Sequence, residues 1–92
     1  MKAILFGKDE SINWTEVATP EPQAGELRIK IEATAVNRAD LMQRAGLYPP
    51  PPGASDIPGL ECVGLVDAVG EGVTRFQSGD RVCALLSSGG YV

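Results

Sequence analysis

From Glu26 to Gly46 the chain reads ELRIKIEATAVNRADLMQRAG, and two periodicities meet inside that stretch. Leu27, Ile29, Ile31, Ala33 and Ala35 alternate with Arg28, Lys30, Glu32 and Thr34. A period of two sends the aliphatic set to one face of a strand and the charges to water. At Asn37 the alternation stops. Asn37 is a good N-cap, and Asp40, three residues on, is the acidic half of a capping-box variant. Leu41 and Ala45 lie four apart on one helical face, and Gly46 is a natural stop. The spacing predicts one short helix near 38–45, too short to stand without packing.

On either side the pattern is strand and turn. MKAILF and INWTEVATP are predicted strands, joined through the glycine and polar residues of GKDES. Pro20 and Pro22 then end pairing, because proline offers no N–H to a ladder. Downstream, LYPPPPGASDIPG is predicted as an extended loop with polyproline character over Pro49–Pro52. ECVGLVDAVG and RVCALLS follow as strands around a turn region in which Phe76 is the anchor. SGGYV is a glycine turn with two strand-favouring residues after it. A strand starts there and the sequence stops, so we expect a piece of a longer protein.

Ninety-two residues make at most one small domain. With 43% apolar and 22% charged residues the chain is of ordinary globular composition rather than disordered. Aromatics at 5% leave the core to aliphatic side chains, and the 11 glycines and 7 prolines favour turns and short strands. The net charge of −4, with no basic stripe, argues against nucleic acid as a partner. No apolar run reaches the ~18 residues needed to span a membrane. MKAILFGKDE is too short for a signal segment, which makes the cytoplasm the expected location. Cys62 and Cys83 are the only cysteines, no CxxC occurs and histidine is absent, so ordinary zinc ligation cannot be assembled. Both cysteines are expected to be small buried hydrophobes in a reducing compartment.

AVNRADLMQRAGLYPPPPG, IPGLECVGLVDAVGEGVTRFQSGDRV and the terminal GGYV together resemble the zinc-free quinone oxidoreductases of the medium-chain dehydrogenase/reductase superfamily. The resemblance implies a mainly β, GroES-like partial barrel with the one short helix. Residues 1–92 would then be the N-terminal part of the catalytic domain, without the nucleotide-binding Rossmann domain. Zinc-dependent alcohol dehydrogenases have Gly-His-Glu where this chain has Gly59-Leu60-Glu61, and a ligating cysteine where it has Asn37. Neither replacement supplies a strong donor, so no metal is expected. The resemblance also puts Glu61 beneath the active site, paired with a basic residue beyond position 92 or locally with Arg38 or Arg44. Asp40 matches an acidic position of the family, and its cap role accounts for it.

Without a Lewis acid, the chemistry that remains is hydride transfer from a reduced nicotinamide to a quinone or an α,β-unsaturated carbonyl. Such an acceptor spreads the incoming charge over its own conjugated oxygen, leaving alignment and a few hydrogen bonds to the protein. By resemblance Asn37 contacts the cofactor and the substrate pocket, and Tyr48 lines the substrate cleft. Met42 stands where some relatives carry a second tyrosine. The same resemblance implies NADPH, with NADH as the alternative, held mainly by the missing domain, and a homodimeric parent. The fragment alone is expected to be inactive. GEG at 70–72 lacks the spacing and the following helix of a dinucleotide fingerprint. P-x-x-P at 49–52 would suit a PPII-binding partner, but inside a folded domain it is better explained as a rigid loop. The rival from another class is a stand-alone GroES-like, co-chaperonin-type module, which a seven-membered ring in light scattering would support.

Overall fold

The turn at GKDES does close a hairpin. The computed structural model describes all 92 residues. β1 (Lys2–Phe6) pairs antiparallel with β2 (Ile12–Glu16), with Ile4 opposite Trp14. The Gly7 N–H donates to the Ser11 carbonyl at 2.9 Å across the turn. β2 is shorter than INWTEVATP predicts. Val17 N–H still reaches the Met1 carbonyl at 2.8 Å, just past the last paired residues of the ladder, Lys2 and Glu16.

The second sheet has the order β3-β4-β5, all antiparallel: β3 is Leu27–Thr34, β4 Glu61–Val69 and β5 Arg81–Leu85. Its β3–β4 register slips twice. Arg28 faces Ala68 but Ile29 faces Val66, so Asp67 is an extra residue on β4. Ile31 faces Gly64 but Ala33 faces Val63, so Glu32 is an extra residue on β3. An odd residue reverses the alternation beyond it. Leu27, Ile29 and Ile31 are half-buried as the pattern predicts, whereas Ala33 is exposed. Each bulged acid finds an arginine. Arg28 Nε donates to Asp67 Oδ1 at 2.8 Å, and an Arg81 guanidinium N–H donates to Glu32 Oε2 at 3.0 Å.

α1 (Arg38–Arg44) follows β3 after a three-residue link. Its packed face is not the predicted one. Leu41 is 59% exposed and Ala45 is also exposed, while Asp40 is 2% exposed. Polar contacts of the helix start, described below, orient the helix, so an apolar pair four apart was the wrong guide.

The two sheets do not close into a barrel. Ala3, Cys62 and Val66 are the fully buried hydrophobic residues. A cavity of about 750 Å³ opens between the sheets, lined by Trp14, Leu27, Ile29, Ile31, Leu86 and Val92 among others. The predicted terminal strand does not form either. Tyr91 and Val92 lie outside the strands, although Ile4 N–H donates to the Tyr91 carbonyl at 2.9 Å. No helix is long and apolar enough to cross a membrane.

The cysteines differ from the expectation in one respect: Cys62 is buried but Cys83, on the edge strand β5, is exposed. Cys83 stands opposite Val63 in the ladder, so strand alternation turns the two thiols to opposite faces. Burial, and secondarily Cys83, push the Cys62 thiol above its ordinary value. A mild thiol reagent near pH 8 is therefore expected to label Cys83 at once, and Cys62 only when denaturant is added. Equal labelling rates in the native chain would contradict this register.

Candidate active site

The cluster starts where β3 ends. Asn37 has extended backbone (φ −117°, ψ 159°) and caps α1. Its N–H donates to Asp40 Oδ2 at 2.9 Å, and the Asp40 N–H donates to the Asn37 carbonyl at 3.0 Å. The side-chain amide points the other way. Asn37 Nδ2 donates to Glu61 Oε2 at 3.4 Å. The first residue of β4 is thereby joined to the first turn of the helix. Thr34 Oγ1 adds a bond to the Glu61 carbonyl at 2.6 Å, fixing the strand end beneath.

Tyr91 completes the cluster. Its hydroxyl donates to Asp40 Oδ2 at 2.5 Å, a short charge-assisted bond. Its main chain is held on both sides: Tyr91 N–H donates to the Pro58 carbonyl at 2.9 Å, and Ile4 N–H donates to the Tyr91 carbonyl. Gly90 N–H adds a bond to the Gly59 carbonyl at 3.1 Å. The two backbones touch at this point. Gly59 has φ +108°, and a Cβ there would stand 2.7 Å from Gly90 Cα, so both features demand glycine. Burial first, then the bond to Asp40 and the charge of Asp40, raise the Tyr91 phenol well above the ordinary tyrosine range. Asp40 Oδ1 is buried without a hydrogen-bond partner.

The structure therefore gathers three of the four sequence-derived candidates. Asn37, Glu61 and Asp40 form one network. Tyr48, on the loop after α1, is 41% exposed, and no hydrogen bond links it to the others. Neither local arginine pairs with Glu61. Arg44 Nε donates to the Glu10 carbonyl at 2.6 Å and thereby props the turn in which Glu10 takes φ 65°, while Arg38 is exposed. Glu61 receives the Asn37 amide because that amide, and no cation, is carried to it by the helix start. Sequence reasoning missed Tyr91. A signal existed: a buried acid at a helix start needs a donor, and the chain holds only two tyrosines.

A transition metal does not fit these side chains. Nowhere do three His, Cys, Asp or Glu come together, and Asn37 and Leu60 offer a neutral amide and an alkyl group. What the arrangement can do is hold one amide in a fixed sense. With Nδ2 turned to a carboxylate and the side chain also facing the Asp40 N–H of the capping box, Asn37 keeps one N–H for a ligand.

Comparison with known proteins gives the same architecture. The chain is 40% identical over 90 residues to the mouse (Mus musculus) synaptic vesicle membrane protein VAT-1 homolog-like, covering 95% of this chain and 22% of that protein. It is 42% identical over 88 residues to the quinone oxidoreductase of Lama guanicoe, covering 94% of this chain and 27% of that one. The crystal structure of human synaptic vesicle membrane protein VAT-1 homolog-like protein superposes with a TM-score of 0.86 at 38% identity, over 99% of this chain and 30% of the other. The chain thus spans under a third of the length of these relatives. The family profile for the alcohol dehydrogenase GroES-like domain matches residues 23–90, and the chain belongs to that family, the GroES-like domain of the medium-chain dehydrogenase/reductase superfamily of oxidoreductases.

Proposed function

We propose that the protein carrying this domain is an NADPH-dependent quinone oxidoreductase that reduces quinones or α,β-unsaturated carbonyls without a metal. The observation that carries the reading is the Asn37 amide tied to Glu61; the family resemblance, which sets Asn37 against a cysteine and Leu60 against a histidine of the zinc enzymes, supports it. Membership in an oxidoreductase superfamily favours it over a stand-alone co-chaperonin-type module. Bound NADPH would supply the hydride, with NADH as the weaker alternative. A proton from solvent completes the hydroquinone. Asn37 would orient the nicotinamide and offer its free N–H to the acceptor oxygen, where charge develops. Tyr48, on its proline-stiffened loop, would line the acceptor side and stack on a flat ring. The parent would be a homodimer in the cytoplasm.

The test is NADPH oxidation by the full-length protein with a simple quinone. A rate unaffected by a chelator is expected, with little turnover of alcohols. Asn37→Ala should lower kcat/KM by roughly tenfold or more. Activity lost to chelator, or preference for an alcohol, would reject the reading.

A further inference from the structure

We propose that Tyr91 and Asp40 are positioning residues that act through Asn37, setting the orientation of its amide toward the nicotinamide; the functional half of this rests on the reading above. Asp40 is buried, and its one hydrogen-bonded oxygen collects two donors, the Tyr91 hydroxyl and the Asn37 N–H. The phenol and the Asn37 main chain are therefore joined through a single atom. The other end of Asn37 is set by Glu61. A flipped amide would bring Oδ1 against the carboxylate, so Nδ2 must face it. Main chain clamped from one side and side chain from the other leave the amide a single pose. Tyr91 can serve as the fixed end because β1 and the Pro58–Gly59 segment both bind its backbone. An isolated helix of seven residues has no such rigidity of its own.

Neither residue touches a ligand in this scheme, so both are positioning residues, and the test must separate positioning from stability. In the full-length protein, Tyr91→Phe is expected to raise KM for NADPH about fivefold or more, with kcat within about twofold, by the size of couplings between contacting residues. The effect is expected to vanish when Asn37→Ala is already present. A structural role alone would lower the yield of folded enzyme and leave KM unchanged. An effect of Tyr91→Phe that persists undiminished on the Asn37→Ala background would overturn the proposal. Hydrogen exchange of the peptide spanning 36–41 supplies a readout independent of turnover: Tyr91→Phe should speed it about tenfold, and unchanged exchange would also overturn the proposal. A full-length wild type that reduces no quinone or enone defeats the functional reading, while the exchange measurement still decides the clamp. If Tyr91→Phe does not fold, Asp40→Leu, which is close in volume and has no acceptor for either donor, should show the same signature. Failure of both to fold would make the pair structural and reject the idea.

Discussion

Gly64→Ala is expected to abolish folding of this domain, or to cost more than about 4 kcal/mol if residual structure survives. β4 is the central strand, and Gly64 is paired on both sides, with Ile31 on β3 and with Val82 on β5. A Cβ at that position would lie 2.1 Å from the Lys30 carbonyl oxygen and 2.9 Å from Ile29 Cγ2. The first of these is backbone, so no side-chain rotation relieves it. Moving β4 away would break one ladder, and moving β3 would disturb the bulge at Glu32 that follows Ile31. Circular dichroism and a denaturant titration decide the matter. A Gly64→Ala chain with native spectrum and near-native midpoint would show that the β3–β4 register is not the one described.

The second large effect is expected at Asp40. Asp40→Ala should destabilise the domain by about 2–4 kcal/mol, since it leaves the Asn37 N–H and the Tyr91 hydroxyl without acceptors in a buried place. It also removes the acidic limb of the helix cap. The loss is tempered because Asp40 Oδ1 is itself unpartnered, so the wild-type carboxylate already carries some desolvation cost. Thermal melts compare Asp40→Ala with Asp40→Asn, which keeps one acceptor and should lose less. Burial of the Tyr91 phenol, with its bond to Asp40 second, sets an alkaline limit. The folded Tyr91 phenol holds its proton above the ordinary range near 10, and the unfolded chain does not. The native state then binds the extra proton, so stability is full below about pH 10 and falls as pH rises above it. Tyr91→Phe should flatten that alkaline slope. A slope unchanged in Tyr91→Phe would assign it to other groups.

Local order was legible where one short-range rule dominates. Pro20 and Pro22 cannot enter a ladder, GKDES can turn, Asn37 can cap, and the polyproline run cannot be a strand; each of these held. The aliphatic alternation in Leu27–Ile31 held as well, and failed beyond Glu32. A bulge inserts an extra residue because of what the neighbouring strand needs, and Glu32 looks like any polar residue of an alternating strand. Leu41 and Ala45 misled for a related reason. Four-residue spacing identifies a face but not what that face meets, and here Asp40 faced inward because Tyr91 was waiting for it.

The site divides along the same line. The positions of Asn37 and Leu60 were implied by the family resemblance of the motifs around them, and residue type then says that neither is a strong metal donor. The donor to Asp40 and the acceptor of the Asn37 amide could not be placed from sequence. Tyr91 is 51 residues from Asp40, and Glu61 is 24 from Asn37, so only the packing of the terminal segment and of β4 against the helix start brings them together.

By itself the amino-acid order determined the punctuation of this protein: which stretches extend, where the helix can begin, and which side chains are weak donors. Dihedral sterics and donor chemistry operate within a few bonds, so they are written residue by residue. Only the tertiary structure decided that an acid would be buried, that the Tyr91 phenol would satisfy it, and that Glu61 would meet the Asn37 amide rather than Arg38 or Arg44. Those outcomes depend on directional bonds between segments distant along the chain, and their partners are set by strand register and by the close glycine contact of Gly59 with Gly90.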